Sequence, residues 1–312
     1  MKFSVIIPNY NGFELIKKNL PKVIESLSKF DAEIIIVDDA SKQKEYQELK
    51  NFVSELDKRE RITIKLIRNE KNLGFSSAVN KGTLESEGEF LVLLNTDVVP
   101  EKDFLNPIIA DFEADEKLFG IGCMDKSIEG GKIVYRGRGE AVWERGFLVH
   151  RKGEVDKSDT FWISGGSSII RKKFFEELER FDPLYNPFYW EDIDLSYRAN
   201  KSGYNLLFEK RSVVEHKHSE GAIKQYYSDF KIRTIAYKNQ FIFVWKNISD
   251  QNFILSHIFW LPCHLFSAII RLDIAFFLGF ILAGLSLPAI IGKRFRQKKL
   301  YKKKDSEIIA IS

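Results

Sequence analysis

Cysteine is nearly absent from this chain. Its 312 residues contain two, Cys123 and Cys263, which lie far apart and lack the spacing of metal ligands. This excludes a disulfide framework and favours a reducing compartment. A signal peptide is missing too, because Met1 and Lys2 lead directly into an apolar run. We therefore expect the main part of the protein to stay in the cytoplasm.

A large net charge is also missing. The formal net charge of +4 is too small to predict a nucleic-acid partner. Basic residues nevertheless cluster near the C-terminus, at positions 293–299 and 302–304. The hydrophobic fraction of 44% and the charged fraction of 29% are ordinary for a globular protein, and the chain is long enough to bury a sizeable core.

Three short apolar runs in the first hundred residues each end in polar residues. The runs are residues 3–7, 33–37 and 90–94, and the polar segments are 8–12, 38–41 and 95–97. A segment with helical spacing follows each run, so the order is β-α-β-α-β with parallel strands. Ligands bind outside the carboxyl ends of such strands. We therefore predict an α/β fold whose site is formed by these three loops.

Glycine-rich phosphate loops are missing from this edge, since the loops carry carboxylates and amides instead. Carboxylates can face a diphosphate only through a bound cation. Asp97, with the amide oxygen of Asn95, could help hold Mg²⁺ or Mn²⁺, or the segment could be a simple turn before Pro100. Asp39 could accept hydrogen bonds from a base or a ribose, or could cap the next helix.

Two further segments carry candidate chemistry. Glu191 and Asp192 follow three large aromatic residues, so they are expected to be partly desolvated, which raises the pKa of a carboxyl toward that of a general base. The alternative is that they only favour the start of a helix, which we predict over residues 192–202. His216 and His218 follow a β-like run and could complete a cation site. The loop at Asn72 and Gly74 could bind an anion or sugar hydroxyl, or cap a helix.

These segments together resemble family 2 glycosyltransferases, and most closely their rhamnosyltransferase-like branch. The matching segments, in family order over residues 3–221, are 4–12, 36–41, 72–75, 94–97, 164–167, 181–183 and 190–195. The resemblance implies the GT-A nucleotide-sugar fold, a mainly parallel Rossmann-like sheet with flanking helices. It also implies an inverting transferase that moves a sugar from a dTDP- or UDP-linked donor to a lipid-linked or glycan acceptor in cell-wall or polysaccharide synthesis.

The resemblance also implies roles for single residues. Asp192 matches the catalytic base, Asp39 the nucleobase contact, Asp97 the metal-binding aspartate, and His216 a histidine that joins the metal site in some members. Asn95 departs from the family's Asp-x-Asp pattern and leaves one carboxylate near the cation, Mg²⁺ or Mn²⁺. The remaining residues expected to bind the nucleotide sugar are Pro8, Asn9, Tyr10, Asn11, Asn72, Gly74, Asn95, Thr96 and Glu191.

Two other functions remain as alternatives. A sugar-1-phosphate nucleotidyltransferase has a similar core, but such enzymes open with a glycine-rich loop that contains a basic residue, and residues 8–12 have neither feature. A non-catalytic, membrane-bound scaffold that binds nucleotide sugars is the other alternative. The joint presence of Asp39, Asp97, Asp192 and His216 argues against it.

The C-terminal part is strongly apolar. Residues 253–270 and 274–291 form two runs of 18 residues, about 27 Å each if helical, which is marginal for crossing a bilayer. We predict a domain at 1–221, a helical connector at 222–252, apolar membrane-associated helices at 253–292 and a basic tail at 293–312. Core helices are the alternative. The basic cluster favours the cytoplasmic leaflet, so we expect peripheral, monotopic or hairpin-anchored association there.

Overall fold

Buried β-branched and leucine-rich runs form the centre of the molecule. The computed structural model describes residues 1–57, 62–129, 132–216 and 226–311. Its first half alternates four strands with three helices: β1 (Lys2–Asn9), α1 (Phe13–Leu27), β2 (Asp31–Asp38), α2 (Gln43–Asp57), β3 (Thr63–Arg68), α3 (Phe75–Leu84) and β4 (Phe90–Leu94). β1 lies between β2 and β4 and is parallel to both.

The second half continues the same sheet with strands in both directions. Its elements are β5 (Val98–Pro100), α4 (Asn106–Ala114), β6 (Leu118–Glu129), β7 (Lys132–Arg136), β10 (Ser167–Arg171), α5 (Lys172–Glu177), α6 (Glu191–Lys201) and β11 (Asn205–His216). The strand order is β3-β2-β1-β4-β10-β6-β11-β5, with β7 beside β6. β11 is parallel to β6 whereas the other new pairs are antiparallel, so the sheet is mixed. The predicted α/β fold is confirmed.

Helices cover both faces of this sheet. Because successive side chains of a strand point to opposite faces, Val5 and Ile7 pack with Ile16 of α1, while Ile6 packs with Val79 of α3. All of these side chains are buried. The two apolar layers fix the register of β1, and its carboxyl end therefore leads to one rim of the sheet.

A small second sheet lies beside the first. The hairpin of β8 (Gly139–Glu144) and β9 (Phe147–Lys152) pairs through β8 with β12 (Ala310–Ile311) near the C-terminus. Asp305 lies just before β12, is fully buried, and pairs with Lys201 of α6. The segment predicted as a basic tail thus packs on the rest of the chain. The division into four segments stays a prediction.

The C-terminal region contains four helices: α7 (Asp229–Asn247), α8 (Gln251–Ile270), α9 (Ile274–Leu285) and α10 (Leu287–Lys298). Phe241 of α7 and Phe276 of α9 share a buried cluster with Trp143 of β8 and Tyr197 of α6. These contacts attach the helices to the strands and to α6.

The second apolar run is divided between two helices. Residues 274–291 do not form one continuous helix, because the chain bends by 64° between α9 and α10. Pro288 lies in the first turn of α10, where its missing N–H is tolerated, and it disfavours a helix that continues through the preceding residue. In the described part of the chain, α8 alone is long and apolar enough to cross a membrane, or two segments if the bent pair counts as one span.

Candidate active site

A cavity of about 560 Å³ opens at the carboxyl ends of β1, β2 and β4. One side, which we call the carboxyl-end wall, consists of residues 8–12, 39–41, 72–74 and 95–97. The other side, which we call the aromatic wall, consists of residues 184–192. The sequence predicted a site at this edge because the carboxyl ends of parallel strands meet there.

The first loop of the carboxyl-end wall is held by its asparagines. Nδ2 of Asn9 donates to Asp38 over 3.0 Å, and Oδ1 of Asn9 accepts from the backbone N–H of Gly12. Asn11 has a φ of 51°, a left-handed conformation that asparagine tolerates better than most residues. Its backbone N–H donates to Ser41 over 2.8 Å. The loop is thereby fixed against the residues that follow β2.

The carboxylate of Asp39 accepts hydrogen bonds from the loop that precedes α3. The donors are Nδ2 of Asn69 at 2.7 Å and the backbone N–H groups of Leu73 and Gly74 at 3.0 and 2.8 Å. Gly74 has a φ of +85°, and an added Cβ would lie 2.9 Å from the Cα of Pro187. Asp39 therefore draws residues 72–74 against the aromatic wall. A direct contact between Asp39 and a nucleobase stays a prediction.

Asp97 and His216 come from paired strands, because His216 at the end of β11 is opposite Val98 of β5. Nε2 of His216 lies 3.3 Å from Oδ2 of Asp97, and Nδ1 lies 2.8 Å from Oδ2 of Asp125. Burial disfavours the charged imidazole, but its hydrogen bonds to Asp125 and Asp97 outweigh this and raise the pKa of His216 to about 9.

The donor atoms of Asp97 and His216 fit a divalent cation. Carboxylate oxygen is a suitable ligand for Mn²⁺, and the imidazole nitrogen of His216 becomes one when the cation displaces the proton from Nε2, while Asp125 orients the ring as carboxylates orient metal-bound histidines. Within residues 1–57, 62–129, 132–216 and 226–311, no group of three or more His, Cys, Asp or Glu side chains could hold a metal by itself. A cation here would therefore need further oxygens from its ligand, and a diphosphate supplies them.

Asp192 lies in the first turn of α6, on the aromatic wall. Its carboxylate accepts from the backbone N–H groups of Ile193 at 2.8 Å and Gly165 at 3.3 Å. Burial raises the pKa of Asp192, although these two hydrogen bonds oppose the shift. Glu191 is 7% exposed, and burial together with the charge of Asp192 raises its pKa well above the usual range. Oε2 of Glu191 is buried and has no hydrogen-bond partner among the described residues.

All thirteen residues predicted for the site line this one cavity: Pro8, Asn9, Tyr10, Asn11, Asp39, Asn72, Gly74, Asn95, Thr96, Asp97, Glu191, Asp192 and His216. His218 lies outside the described residues. The sequence did not single out Arg136, Tyr226 or Tyr227, which also line the cavity. Arg136 gave no local signal because β7 brings it to the site through pairing with β6.

A family model described as "Glycosyl transferase family 2" matches residues 4–179, which is more than half of the chain. The match covers the whole of the carboxyl-end wall and ends before Asp192 and His216.

Curated relatives carry glycosyltransferase names. The mouse (Mus musculus) protein "N-acetylgalactosaminyltransferase 7" is 27% identical over 68% of this chain and 35% of its own length. The "Dolichol-phosphate mannosyltransferase" of Pyrococcus furiosus is 29% identical over 43% of this chain and 35% of its own length. The chain thus spans about a third of the length of both relatives.

The fold has a counterpart in a solved structure, GalNAc-T7 with UDP, GalNAc and Mn²⁺. The likeness has a TM-score of 0.64 at 22% identity and covers 80% of this chain and 48% of that one. It confirms the expected GT-A fold. Together with the match over residues 4–179, it shows that the chain belongs to glycosyl transferase family 2.

Proposed function

We propose that the protein is an inverting glycosyltransferase that moves a sugar from a nucleoside-diphosphate sugar to an acceptor hydroxyl. The observation that carries this proposal is that two chemically different groups line the same cavity. Asp97 and His216 form one of them, and the desolvated carboxylate of Asp192 on the aromatic wall is the other. The first site suits a diphosphate with a cation, and the second suits a general base.

The carboxyl-end wall would bind the donor. Residues 8–12 and 72–74 are fixed by Asp38 and Asp39, so their amides would bind the nucleotide with little ordering cost. Asp97 and His216 would hold the cation, which would offset the charge that develops on the leaving diphosphate. The likeness to a structure solved with UDP and Mn²⁺ supports Mn²⁺ as the ion, with Mg²⁺ as the other candidate.

Asp192 would act on the acceptor. Its carboxylate would take the proton from the acceptor hydroxyl as that oxygen attacks C1 of the donor sugar. A bond forms between C1 and the acceptor oxygen, and the bond between C1 and the diphosphate oxygen breaks on the opposite face. A single displacement of this kind inverts the configuration at C1.

A panel of nucleotide sugars tests the proposal. The panel contains dTDP-rhamnose, favoured by the sequence resemblance, and UDP-GalNAc and GDP-mannose, suggested by the names of the relatives. Release of a nucleoside diphosphate that depends on Mn²⁺ or Mg²⁺ is the expected result. Release of pyrophosphate would indicate a nucleotidyltransferase instead. Nucleotide-sugar binding without turnover, with lipid-linked and glycan acceptors present, would indicate a scaffold.

We further propose that residues 253–292 bind the cytoplasmic face of a membrane, where a lipid-linked acceptor would be found. One face of α8 is apolar and exposed, with relative exposures of 58–71% for Leu255, Ile258, Phe259, Phe266 and Ile269. Soluble proteins seldom leave such a large apolar surface uncovered. The basic residues at 293–304 would interact with anionic headgroups beside it.

The contacts of α8 support a helix that lies on the membrane rather than across it. His257 donates to the carbonyl oxygen of Gly146 over 2.7 Å, and His264 donates to that of Arg145 over 2.8 Å. Both carbonyls belong to the turn between β8 and β9. A helix bound to this turn at its middle would have to break these bonds to cross a bilayer.

Vesicle flotation tests the membrane proposal. The variant Leu255→Glu/Phe259→Glu/Phe266→Glu should lose binding to vesicles that contain anionic lipid, while the wild type floats with them. Deletion of residues 253–312 is a poorer test, because it would also remove Phe276 and Asp305 from the buried interior. A wild type that stays in solution, monomeric or as a dimer through this face, would overturn the proposal.

A further inference from the structure

The aromatic wall is held in a conformation that it does not stabilise by itself. Tyr189 and Trp190 have φ values of 71° and 75°, so two consecutive bulky residues are left-handed. Each such residue costs about 1–3 kcal/mol unless its surroundings compensate. Trp190 is the N-cap of α6, and Asp192 follows two residues later. The position of the Asp192 carboxylate therefore depends on what holds this turn.

Two neighbouring residues of α7 hold it. Nδ2 of Asn239, which is fully buried, lies 2.8 Å from the carbonyl oxygen of Tyr185, 2.9 Å from that of Phe188 and 2.8 Å from that of Tyr189. Nζ of Lys238 lies 3.2 Å from the carbonyl oxygen of Leu184 and 2.9 Å from that of Asn186. Five carbonyl groups of one short segment thus accept hydrogen bonds from two side chains.

We infer that Asn239 and Lys238 are positioning residues for the base: they fix the left-handed turn at residues 189–190 and so aim Asp192 at the acceptor. The inference rests on the proposed role of Asp192. Both residues lie outside the segment 4–179 that the family model matches. Neither lines the cavity, so each acts through the backbone of the aromatic wall.

The expected effect is on turnover rather than on donor binding. Without the amide of Asn239, the carbonyl groups of Tyr185, Phe188 and Tyr189 lose this donor, and the turn can relax toward an ordinary conformation. A misplacement of about 1 Å in a catalytic group can cost roughly 100-fold in rate. The donor side of the cavity is held by hydrogen bonds to Asp38 and Asp39, and these bonds do not involve α7.

The main experiment compares Asn239→Leu with Gln240→Leu. Gln240 is the next residue of α7, and its amide donates to the carbonyl oxygen of Leu148 in β9, not to the aromatic wall. We expect kcat to fall about 10- to 100-fold in Asn239→Leu, with the KM for the donor within about threefold of the wild type. Gln240→Leu should retain kcat within about twofold. Thermal unfolding of both variants gives the folded fraction.

A second pair of variants tests the inference in case Asn239→Leu does not fold. Lys238→Met removes two hydrogen bonds at a half-buried position, and Lys238→Arg retains a cationic donor there. We expect Lys238→Met to lower kcat and Lys238→Arg to restore part of it. A lower unfolding temperature with wild-type kcat in the folded protein, for Asn239→Leu or for Lys238→Met, would overturn the inference.

A parallel measurement separates this inference from the proposed function. If Asp192→Asn retains full transfer activity, the assignment of the base is wrong whatever the α7 variants do. If Asp192→Asn is inactive and either Asn239→Leu or Lys238→Met turns over normally, the positioning role is wrong and the proposed function stands. The affinity for UDP with Mn²⁺, measured by calorimetry, should be unchanged in the α7 variants. A lower affinity would show that the substitution disrupts the whole site.

Discussion

The two walls of the cavity are stabilised in opposite ways. In the carboxyl-end wall, side-chain carboxylates of Asp38 and Asp39 accept hydrogen bonds from nearby loops, all within the first 74 residues. In the aromatic wall, backbone carbonyls accept hydrogen bonds from side chains of α7, about 50 positions later. The first wall is a local product of the parallel sheet, whereas the second depends on the C-terminal helices.

Buried ion pairs also connect the region around the aromatic wall to the C-terminal helices. Asp182, at the entry to the aromatic wall, pairs with Lys246 of α7 at 2.7 Å and with Lys293 of α10 at 2.5 Å. Asp194 of α6 pairs with Lys246 as well, and with Arg198 at 2.8 Å. Burial of these carboxylates is unfavourable, but the cations outweigh it and lower the pKa of Asp194. The C-terminal helices therefore anchor the helix that carries Asp192.

The largest expected effect is the loss of the base. In Asp192→Asn we expect kcat to fall about 100- to 10,000-fold, because an amide cannot accept the acceptor proton. Affinity for UDP with Mn²⁺ should stay near that of the wild type, since the carboxyl-end wall is untouched. Steady-state kinetics and calorimetry measure the two quantities. Loss of both together would mean that the two walls are not independent.

The pH dependence of kcat sharpens the same point. Burial raises the pKa of Asp192, so the base becomes protonated as the pH falls through a value above that of an ordinary aspartate. Activity should therefore be full on the alkaline side and decline on acidification sooner than a carboxyl with a pKa of about 3.9 would give. If kcat declines on acidification only at the pKa of an ordinary aspartate, the base is not desolvated and the prediction is contradicted.

The second largest effect is on stability, and it compares two arginines that pair with aspartates next to the two walls. Arg198 is 1% exposed and pairs with buried Asp194, so Arg198→Met should cost about 3–5 kcal/mol of unfolding free energy. Arg68 is half-buried and lies 3.5 Å from Asp38, which keeps Asn9 and Ser41 as partners. Arg68→Met should cost about 1 kcal/mol or less. Urea denaturation measures the unfolding free energy of both variants. Equal losses of stability would contradict the expected difference between the two sites.

Much of the carboxyl-end wall could be predicted from the sequence. The loops at 8–12, 38–41 and 95–97 directly follow apolar runs, and the parallel arrangement of the strands brings them to one edge. Asp39 and Asp97 were assigned to the site on this basis and Asn72 through the family resemblance, and all three line the cavity. The partners of Asp39 were not predicted, because hydrogen bonds to backbone N–H groups leave no residue pattern.

The aromatic wall was predicted less completely. The pattern of rings before Glu191 indicated a desolvated carboxylate, and the raised pKa of Asp192 agrees with it. Lys238 and Asn239 gave no signal, because a polar residue in a helix looks the same whether it faces water or a buried carbonyl. Pro288 is a sequence signal for the bend between α9 and α10. The apolar character of residues 274–291 led us to describe them as a single run and to overlook this signal.

A smaller effect is expected at Asp39. In Asp39→Asn one acceptor oxygen is replaced by an amide that faces the N–H groups of Leu73 and Gly74. Leaving such groups unsatisfied costs about 1–3 kcal/mol, so the KM for the donor should rise roughly 5- to 100-fold. We expect kcat to change little, because Asp192 is held from the other side. Steady-state rates at varied donor concentration give KM and kcat separately. A change in kcat with an unchanged KM for the donor would contradict the prediction.

The smallest perturbation uses the two native cysteines. Cys123 is buried in β6, and burial raises the pKa of its thiol to about 12, whereas Cys263 is exposed on α8. Thiolate reactivity requires access and ionisation, so a maleimide fluorophore at pH 8 should label Cys263 alone, and Cys263→Ser should remain unlabelled. The emission of the labelled protein should shift to the blue with vesicles that contain anionic lipid. An unchanged spectrum would mean that the C-terminal helices hold the aromatic wall without binding a membrane.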